Sequence, residues 1–212
     1  MIILNFRTTI YATIFMALTS TAQAGEETAI FAGGCFWCVE SDFQDVKGVV
    51  DAVSGLTGGT KENPSYRSYG DHKEAVMITF DNSVISYRDL ADAFLRSIDP
   101  TDDGGQFCDR GSAYKTAIFA TTDLQREIAE SLIKKYDGTL DEPIVTPVAS
   151  ASAFYKVDEY HQDYYKSEEV ILLTRFGPTT KAKAYKRYRA ACGRDAGVQE
   201  VWGERAYKLT GF

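Results

Sequence analysis

Residues 27–46 read E-T-A-I-F-A-G-G-C-F-W-C-V-E-S-D-F-Q-D-V, and the change of period inside this stretch decides the fold. Glu27 to Ala32 is a short strand-like run that ends on Gly33-Gly34, where two glycines let the backbone turn tightly. From Cys35 the apolar spacing becomes helical, with Phe36, Val39, Phe43 and Val46 on one side. Cys35 therefore falls at the first helical turn, where unpaired backbone N–H groups and the positive end of the helix dipole favour a thiolate over a thiol. The thiolate is the attacking species, so the position suits a nucleophile. The plainer alternative is a small buried core residue, as most free cysteines are.

Working outward, Gly48 to Leu56 returns to strand character, and Thr60 to Asp71 is loop, with Asn63-Pro64-Ser65 and Tyr69-Gly70 as turn formers. Ala75 to Phe80 is a strand. Ser86 with Asp89 forms a capping-box variant ahead of Leu90, Ala93, Phe94 and Ile98 at helical spacing, and Pro100 stops that helix. A loop rich in Gly and Asp runs from Thr101 to Ser112, followed by a strand from Lys115 to Ala120. Thr122 with Gln125 opens another helix whose inner face is expected to be Leu124, Ile128, Leu132 and Tyr136. Ile144 to Val148 is a strand candidate, and Val157 to Lys166 a short aromatic helix or turn. The order β-α-β-β-α-β predicts a single α+β domain with a split βαβ (ferredoxin-like) core sheet and helices packed on one face. The core is expected over about 27–176, with 177–212 as an irregular, polar C-terminal extension.

Residues 1–24 are set apart from this domain. Arg7 supplies one positive charge, Thr8 to Leu18 is mostly apolar, and Ala22-Gln23-Ala24 is a small-x-small pattern. That layout predicts a signal peptide and an exported protein, periplasmic or secreted, beginning at Gly25. The apolar part is too short to span a bilayer comfortably, so no membrane span is expected afterwards. The segment holds Arg7 and no acid, so its removal takes the net charge from −7 to −8. An acidic chain whose basic residues cluster only at Lys181–Arg189 gives no reason to expect nucleic acid as a partner. Four cysteines, Cys35, Cys38, Cys108 and Cys192, are too few for a disulfide-built scaffold, and an oxidising compartment lets spare thiols pair.

Gly34-Cys35-Phe36-Trp37 resembles the signature of the A-class peptide methionine sulfoxide reductases. The resemblance continues through Val53–Gly59, Asn63-Pro64-Ser65-Tyr66, His72-Lys73-Glu74-Ala75-Val76, Asp99-Pro100-Thr101, Asp109-Arg110-Gly111 with Tyr114, and Tyr160-His161-Gln162, which covers Ala29 to about Lys166. It implies thiol-dependent reduction of methionine-S-sulfoxide, free or in proteins, with Cys35 attacking the sulfoxide sulfur and Glu74 protonating the oxygen. It implies that Tyr66 and Tyr114 hold that oxygen with Asp109 beside them, and that Phe36 and Trp37 wall the S-methyl group. Glu40 and His72 are further candidates near the site, and His161 is expected to be a satisfied structural histidine. No bound cofactor or metal is implied, only an external dithiol reductant, thioredoxin or an equivalent, acting on a monomer.

Cys38 stands where many members have Gly, and it gives a C-x-x-C able to form a disulfide at a helix start. Cys192 resembles a mobile recycling cysteine of other members, and Cys108 adjoins Asp109. Two partitions stay open: Cys35 and Cys38 run the redox cycle while Cys108 and Cys192 pair separately, or Cys192 relays electrons to the site. Two rival functions also stand: a thioredoxin-like dithiol–disulfide oxidoreductase using Cys35 and Cys38, and a structural zinc site of four cysteines, the latter poor with one C-x-x-C.

Overall fold

The structure, a computed structural model, describes residues 25–172 and 177–207. The expected signal peptide, 1–24, lies outside the described residues. Strand β1 (Glu26–Ala32) leads through the Gly33-Gly34 turn into α1 (Phe36–Phe43), then β2 (Val49–Thr57) and β3 (Lys73–Asp81). Helix α2 (Tyr87–Leu95), a small hairpin of β4 (Gly105–Gln106) and β5 (Asp109–Arg110), β6 (Ala117–Ala120) and α3 (Asp123–Tyr136) follow. Beyond them come β7 (Val148–Ser150), β8 (Tyr155–Lys156), the pair β9 (Val170–Ile171) and β10 (Thr179–Thr180), and helices α4 (Lys181–Cys192) and α5 (Arg194–Trp202).

The main sheet has the order β7-β6-β1-β3-β2-β8. Its four central strands, β6-β1-β3-β2, pair antiparallel throughout, which is the split βαβ arrangement expected. β7 adds parallel to β6 and β8 antiparallel to β2. Alternation along β1 separates the faces: Ala29 and Phe31 enter the main core, Ile30 and Ala32 the smaller cluster on the other side. Helices α1, α2, α3 and α5 all bring apolar residues to the Phe31 side, where Phe31 and Phe94 stack with centroids 4.5 Å apart. Both expected caps form: Ser86 Oγ accepts from Asp89 N at 3.1 Å, and Thr122 Oγ1 from Gln125 N at 3.2 Å. Each such cap is worth about 1 kcal/mol.

Three expectations are corrected. The buried face of α3 is Gln125, Ala129, Leu132 and Tyr136, while Leu124 is 65% exposed. A series stepping by four throughout drifts round a helix of 3.6 residues per turn, and the observed 4-3-4 steps do not. The strand expected at Ile144–Val148 begins only at Val148, whereas the aromatic segment 157–166 holds a turn as expected, the 3₁₀ turn Glu159–His161. The C-terminal extension is not irregular: it forms two helices, capped by Thr180 and parted by Gly193 in the left-handed region at φ +73°. Most of its large inward residues are polar or aromatic, with Val198 as an aliphatic exception. Arg189 pairs with Asp42 of α1 at 2.6 Å and with Asp195 at 2.7 Å. Arg194 donates to the Gly33 and Ser97 carbonyls at 2.9 and 3.0 Å. Trp202 Nε1 donates to the Ile98 carbonyl at 2.9 Å. Polar side chains buried against charges and carbonyls leave no hydrophobic period for a sequence reading to find. Among the described residues, no helix is long and apolar enough to cross a membrane.

Candidate active site

The site begins at the β1–α1 turn. Gly34 has φ +84°, and a Cβ there would lie 2.6 Å from the Gln106 side chain, so both backbone and space require glycine. The turn delivers Cys35 to the residue just before α1, where its carbonyl accepts from Cys38 N at 3.0 Å and Val39 N at 3.3 Å. Cys35 and Cys38 are free thiols, 6% and 2% exposed, and their side chains are hydrogen-bonded to each other. Burial pushes the Cys35 thiol well up, and the neighbouring Cys38 and the Glu74 charge add to that. The Cys38 thiol is drawn down by the hydrogen bond from Cys35 and by Arg194 and Arg189 nearby. Desolvation of Cys35 thus works against the expected pull of the helix start.

Glu74 lies on β3, two residues before Val76, which pairs with Phe31 of β1. That register sets it beside the Gly33-Gly34 turn. Its Oε2 accepts from Phe36 N at 3.0 Å and its Oε1 from the Tyr69 hydroxyl at 2.6 Å. Burial pushes its carboxyl up to about 7, against the pull of those two donors. Tyr69 was legible only as a turn former, and its place in the site is new. Its position five residues before the acid, in the loop that ends at β3, is the signal that could have found it.

Tyr66 and Tyr114 belong to the same site. Burial raises both hydroxyls, Tyr66 to about 12, and the charges of Glu74 and Cys35 add to the shift in each. Tyr66 packs on His161 with centroids 3.9 Å apart, and Phe36 lies 6.0 Å from Tyr66 and 5.8 Å from His161. Trp37 stacks on Tyr164 at 3.9 Å and on His161 at 5.8 Å. Phe36, Trp37, Tyr66 and His161 form a continuous aromatic wall, reached from outside by a groove lined by Ser65, Tyr66, Arg67, Asp158, Tyr160 and His161. His161 is not the satisfied histidine expected: its Nδ1 is buried without a hydrogen-bond partner, as is the Trp37 indole nitrogen. Burial lowers its pKa.

Glu40 and His72 act on the frame of the site. Glu40 accepts from Ser54 Oγ and Asp163 N, joining α1 to β2 and the 159–166 turn, and burial pushes its carboxyl up to about 7. His72 accepts from Gly59 N at 3.1 Å and bonds the Lys61 carbonyl at 2.7 Å, closing the base of the loop that carries Tyr66 and Tyr69.

Asp109 accepts a hydrogen bond from the Tyr188 hydroxyl of α4, and burial raises its carboxyl. Tyr188 was read only as part of a basic surface stretch. Beside this contact, Cys108 and Cys192 are joined in a disulfide across 84 residues of sequence, with Cα atoms 4.9 Å apart. The geometry matches the first of the two cysteine partitions. With two cysteines bonded, a four-thiolate zinc site cannot form.

The sequence profile described as peptide methionine sulfoxide reductase matches residues 27–202. A peptide methionine sulfoxide reductase of Rhizobium meliloti is 44% identical over 92% of this chain and 92% of its own length. One of Bacillus subtilis is 41% identical over 85% of this chain and 98% of its own. Among solved structures, methionine sulfoxide reductase A of Corynebacterium diphtheriae superposes with a TM-score of 0.63, at 28% identity, over 68% of this chain and 75% of that one. With matching sequence along the site-bearing segments and a matching fold, the chain belongs to the peptide methionine sulfoxide reductase family.

Proposed function

We propose that the chain reduces methionine-S-sulfoxide, free or in proteins, to methionine by the thiol chemistry of its family, with Cys35 as nucleophile and Glu74 as acid. The observation that carries the residue roles is the carboxyl of Glu74, held by Phe36 N and Tyr69 at the start of the helix that Cys35 caps, with a pKa near 7. A group half-protonated at neutral pH is matched to giving a proton there. Cys35 sulfur attacks the sulfoxide sulfur while Glu74 protonates its oxygen, and Tyr66 and Tyr114 hold that oxygen. The oxygen ends on Cys35 as a sulfenic acid, and methionine departs. Phe36 and Trp37 receive the methyl group. Cys38, the thiol more readily ionised, then attacks Cys35 sulfur; a disulfide forms and the oxygen leaves as water. An external dithiol, a thioredoxin or its exported equivalent, takes up the disulfide and restores both thiols.

Export is part of this reading. The three-part layout of residues 1–24 supports it, and a long-range disulfide suits an oxidising compartment. N-terminal sequencing of the exported protein should begin at Gly25.

The test is turnover of separate R and S sulfoxide epimers with dithiothreitol. The S epimer should be reduced, Cys35→Ser should lose at least about a thousandfold, and Glu74→Gln about a hundredfold at neutral pH. Turnover by Cys35→Ser at the wild-type rate removes Cys35 as nucleophile. Insulin disulfide reduction without sulfoxide turnover would instead favour the dithiol oxidoreductase.

A further inference from the structure

Tyr188 has no place in the chemistry above, yet it reaches the middle of the site. Its hydroxyl donates to the Asp109 carboxylate, and its ring packs against the cluster that holds Cys35 and Cys38 and meets Trp37 edge-on at 6.3 Å. The position is built rather than incidental. Cys192 stands four residues after Tyr188 on α4, one turn along the same face, and Cys108 immediately precedes Asp109. The Cys108–Cys192 disulfide therefore joins the residue one turn beyond the donor to the residue next to the acceptor. The same helix closes over the dithiol from the other side, with Tyr185 packed on Cys35 and Cys38 and Arg189 bound to Asp42. In this closed arrangement Cys35 is 6% exposed and lies against Cys38. An outside thiol is kept away, while the neighbouring sulfur is in reach.

We propose that Tyr188 is a further catalytic residue of this enzyme: it holds the oxygen of the Cys35 sulfenic acid while Cys38 displaces it, and the Cys108–Cys192 disulfide fixes it in register for that step. The reasoning rests on the assignment of Cys35 and Cys38 made above. In the step, the Cys38 thiol loses its proton and its sulfur bonds to Cys35 sulfur. The Cys35 S–O bond breaks, and hydroxide leaves with the proton given up by Cys38, as water. Negative charge grows on the departing oxygen, and the Tyr188 hydroxyl, seated beside it, turns its single proton from Asp109 to that oxygen. Asp109 holds the Tyr188 hydroxyl in place until that turn, and the strongly raised ionisation of Tyr188 keeps its proton on the oxygen.

The experiment separates the two chemical steps. The full-length mature protein, with reductant removed, is mixed with a single equivalent of the S sulfoxide. Methionine release is followed by chromatography. Sulfenic acid and Cys35–Cys38 disulfide are followed by dimedone trapping and mass spectrometry. In Tyr188→Phe the disulfide-forming step should slow at least tenfold relative to methionine release, and the sulfenic acid should accumulate. Cys108→Ser/Cys192→Ser should slow the same step, and adding Tyr188→Phe to it should cost less than in the wild type, because both act through one contact. Disulfide formation at the wild-type rate in Tyr188→Phe overturns the proposal. So does an equal loss in both steps accompanied by a fall in melting temperature, the mark of a merely structural tyrosine. Cys38→Ser tests the underlying assignment separately: sulfenic acid must accumulate there. If it does not, the assignment of Cys38 fails; if it does and Tyr188→Phe is normal, only the role of Tyr188 fails.

Discussion

The protein holds two cysteine pairs that share chemistry and differ in everything around it. Cys35 and Cys38 are three residues apart, buried and reduced, at the head of α1. Cys108 and Cys192 are 84 residues apart and bonded. A disulfide restrains an unfolded chain in proportion to the logarithm of the loop it closes, so the short pair has less stability to give than the long pair. The short pair instead has neighbours that divide its protons: Glu74 and burial against ionisation of Cys35, Arg194 and Arg189 in favour of Cys38. In the proposed function the first pair transfers the electrons, while the second holds α4 against the Asp109 loop. Sequence separation decides the second role; local charge decides the first.

The largest effect expected from this contrast is on stability. Cys108→Ser/Cys192→Ser should lower the unfolding free energy by about 4.5 kcal/mol, the size expected for a loop of this length. Closing the Cys35–Cys38 disulfide should change it by about 2 kcal/mol, less than half as much. Denaturant midpoints of the double variant and of the two redox states of the wild type would measure both. Equal midpoints for the double variant and the wild type would mean that α4 is held by its buried ion pairs alone.

The next effect concerns pH and acts on the short pair's side of the contrast. Glu74 and Glu40 each have a carboxyl raised from 4.5 to about 7 by burial. The folded protein then binds more protons than the unfolded chain between those values. The contribution of both groups to stability is full below about 4.5 and is lost as pH rises through about 7. In the same range Glu74 loses the proton it gives to the sulfoxide. First-turnover methionine release should fall above pH 7, by up to tenfold per pH unit, and Glu74→Gln should flatten that limb. The Cys108–Cys192 pair does not titrate, so Cys108→Ser/Cys192→Ser should leave the position of the limb unchanged. A limb that survives in Glu74→Gln would assign the titration to another group.

How far each region was legible follows from what stabilises it. The change from period two to helical period across Gly33-Gly34 wrote the β1–α1 junction directly into the chain, and the caps at Ser86 and Thr122 were equally plain. Cys35, Glu74 and Asp109 came from motifs and do converge, as do Tyr66 and Tyr114. Tyr69 escaped because a tyrosine beside a glycine in a loop looks like a turn. Only the fold reveals that its hydroxyl ends on Glu74. Tyr188, Arg189 and Arg194 escaped for a stronger reason. Arg189 and Arg194 are buried and Tyr188 half-buried, held by Asp109, Asp42 and the Gly33 and Ser97 carbonyls, partners between 79 and 161 residues away. Polar burial of that kind has no periodic trace, so the segment read as an irregular extension.

Tyr69 supplies the smallest and most diagnostic test of the short pair's surroundings. Its hydroxyl donates to Glu74 Oε1 at 2.6 Å and holds the carboxyl below where burial alone would put it. Tyr69→Phe keeps the ring and removes the donor, so the Glu74 pKa should rise. The alkaline limb of methionine release should move upward by about half a pH unit to one unit, the size expected for losing one charge-assisted hydrogen bond on a partly shielded carboxylate. Below the limb, where Glu74 is protonated in both proteins, the rates should differ by less than tenfold. The direction is what matters: a donor to the sulfoxide oxygen would lower the plateau and leave the limb in place, whereas a donor to Glu74 moves the limb. The second pattern would show that Tyr69 acts through Glu74, and it would leave the oxygen of the substrate to Tyr66 and Tyr114.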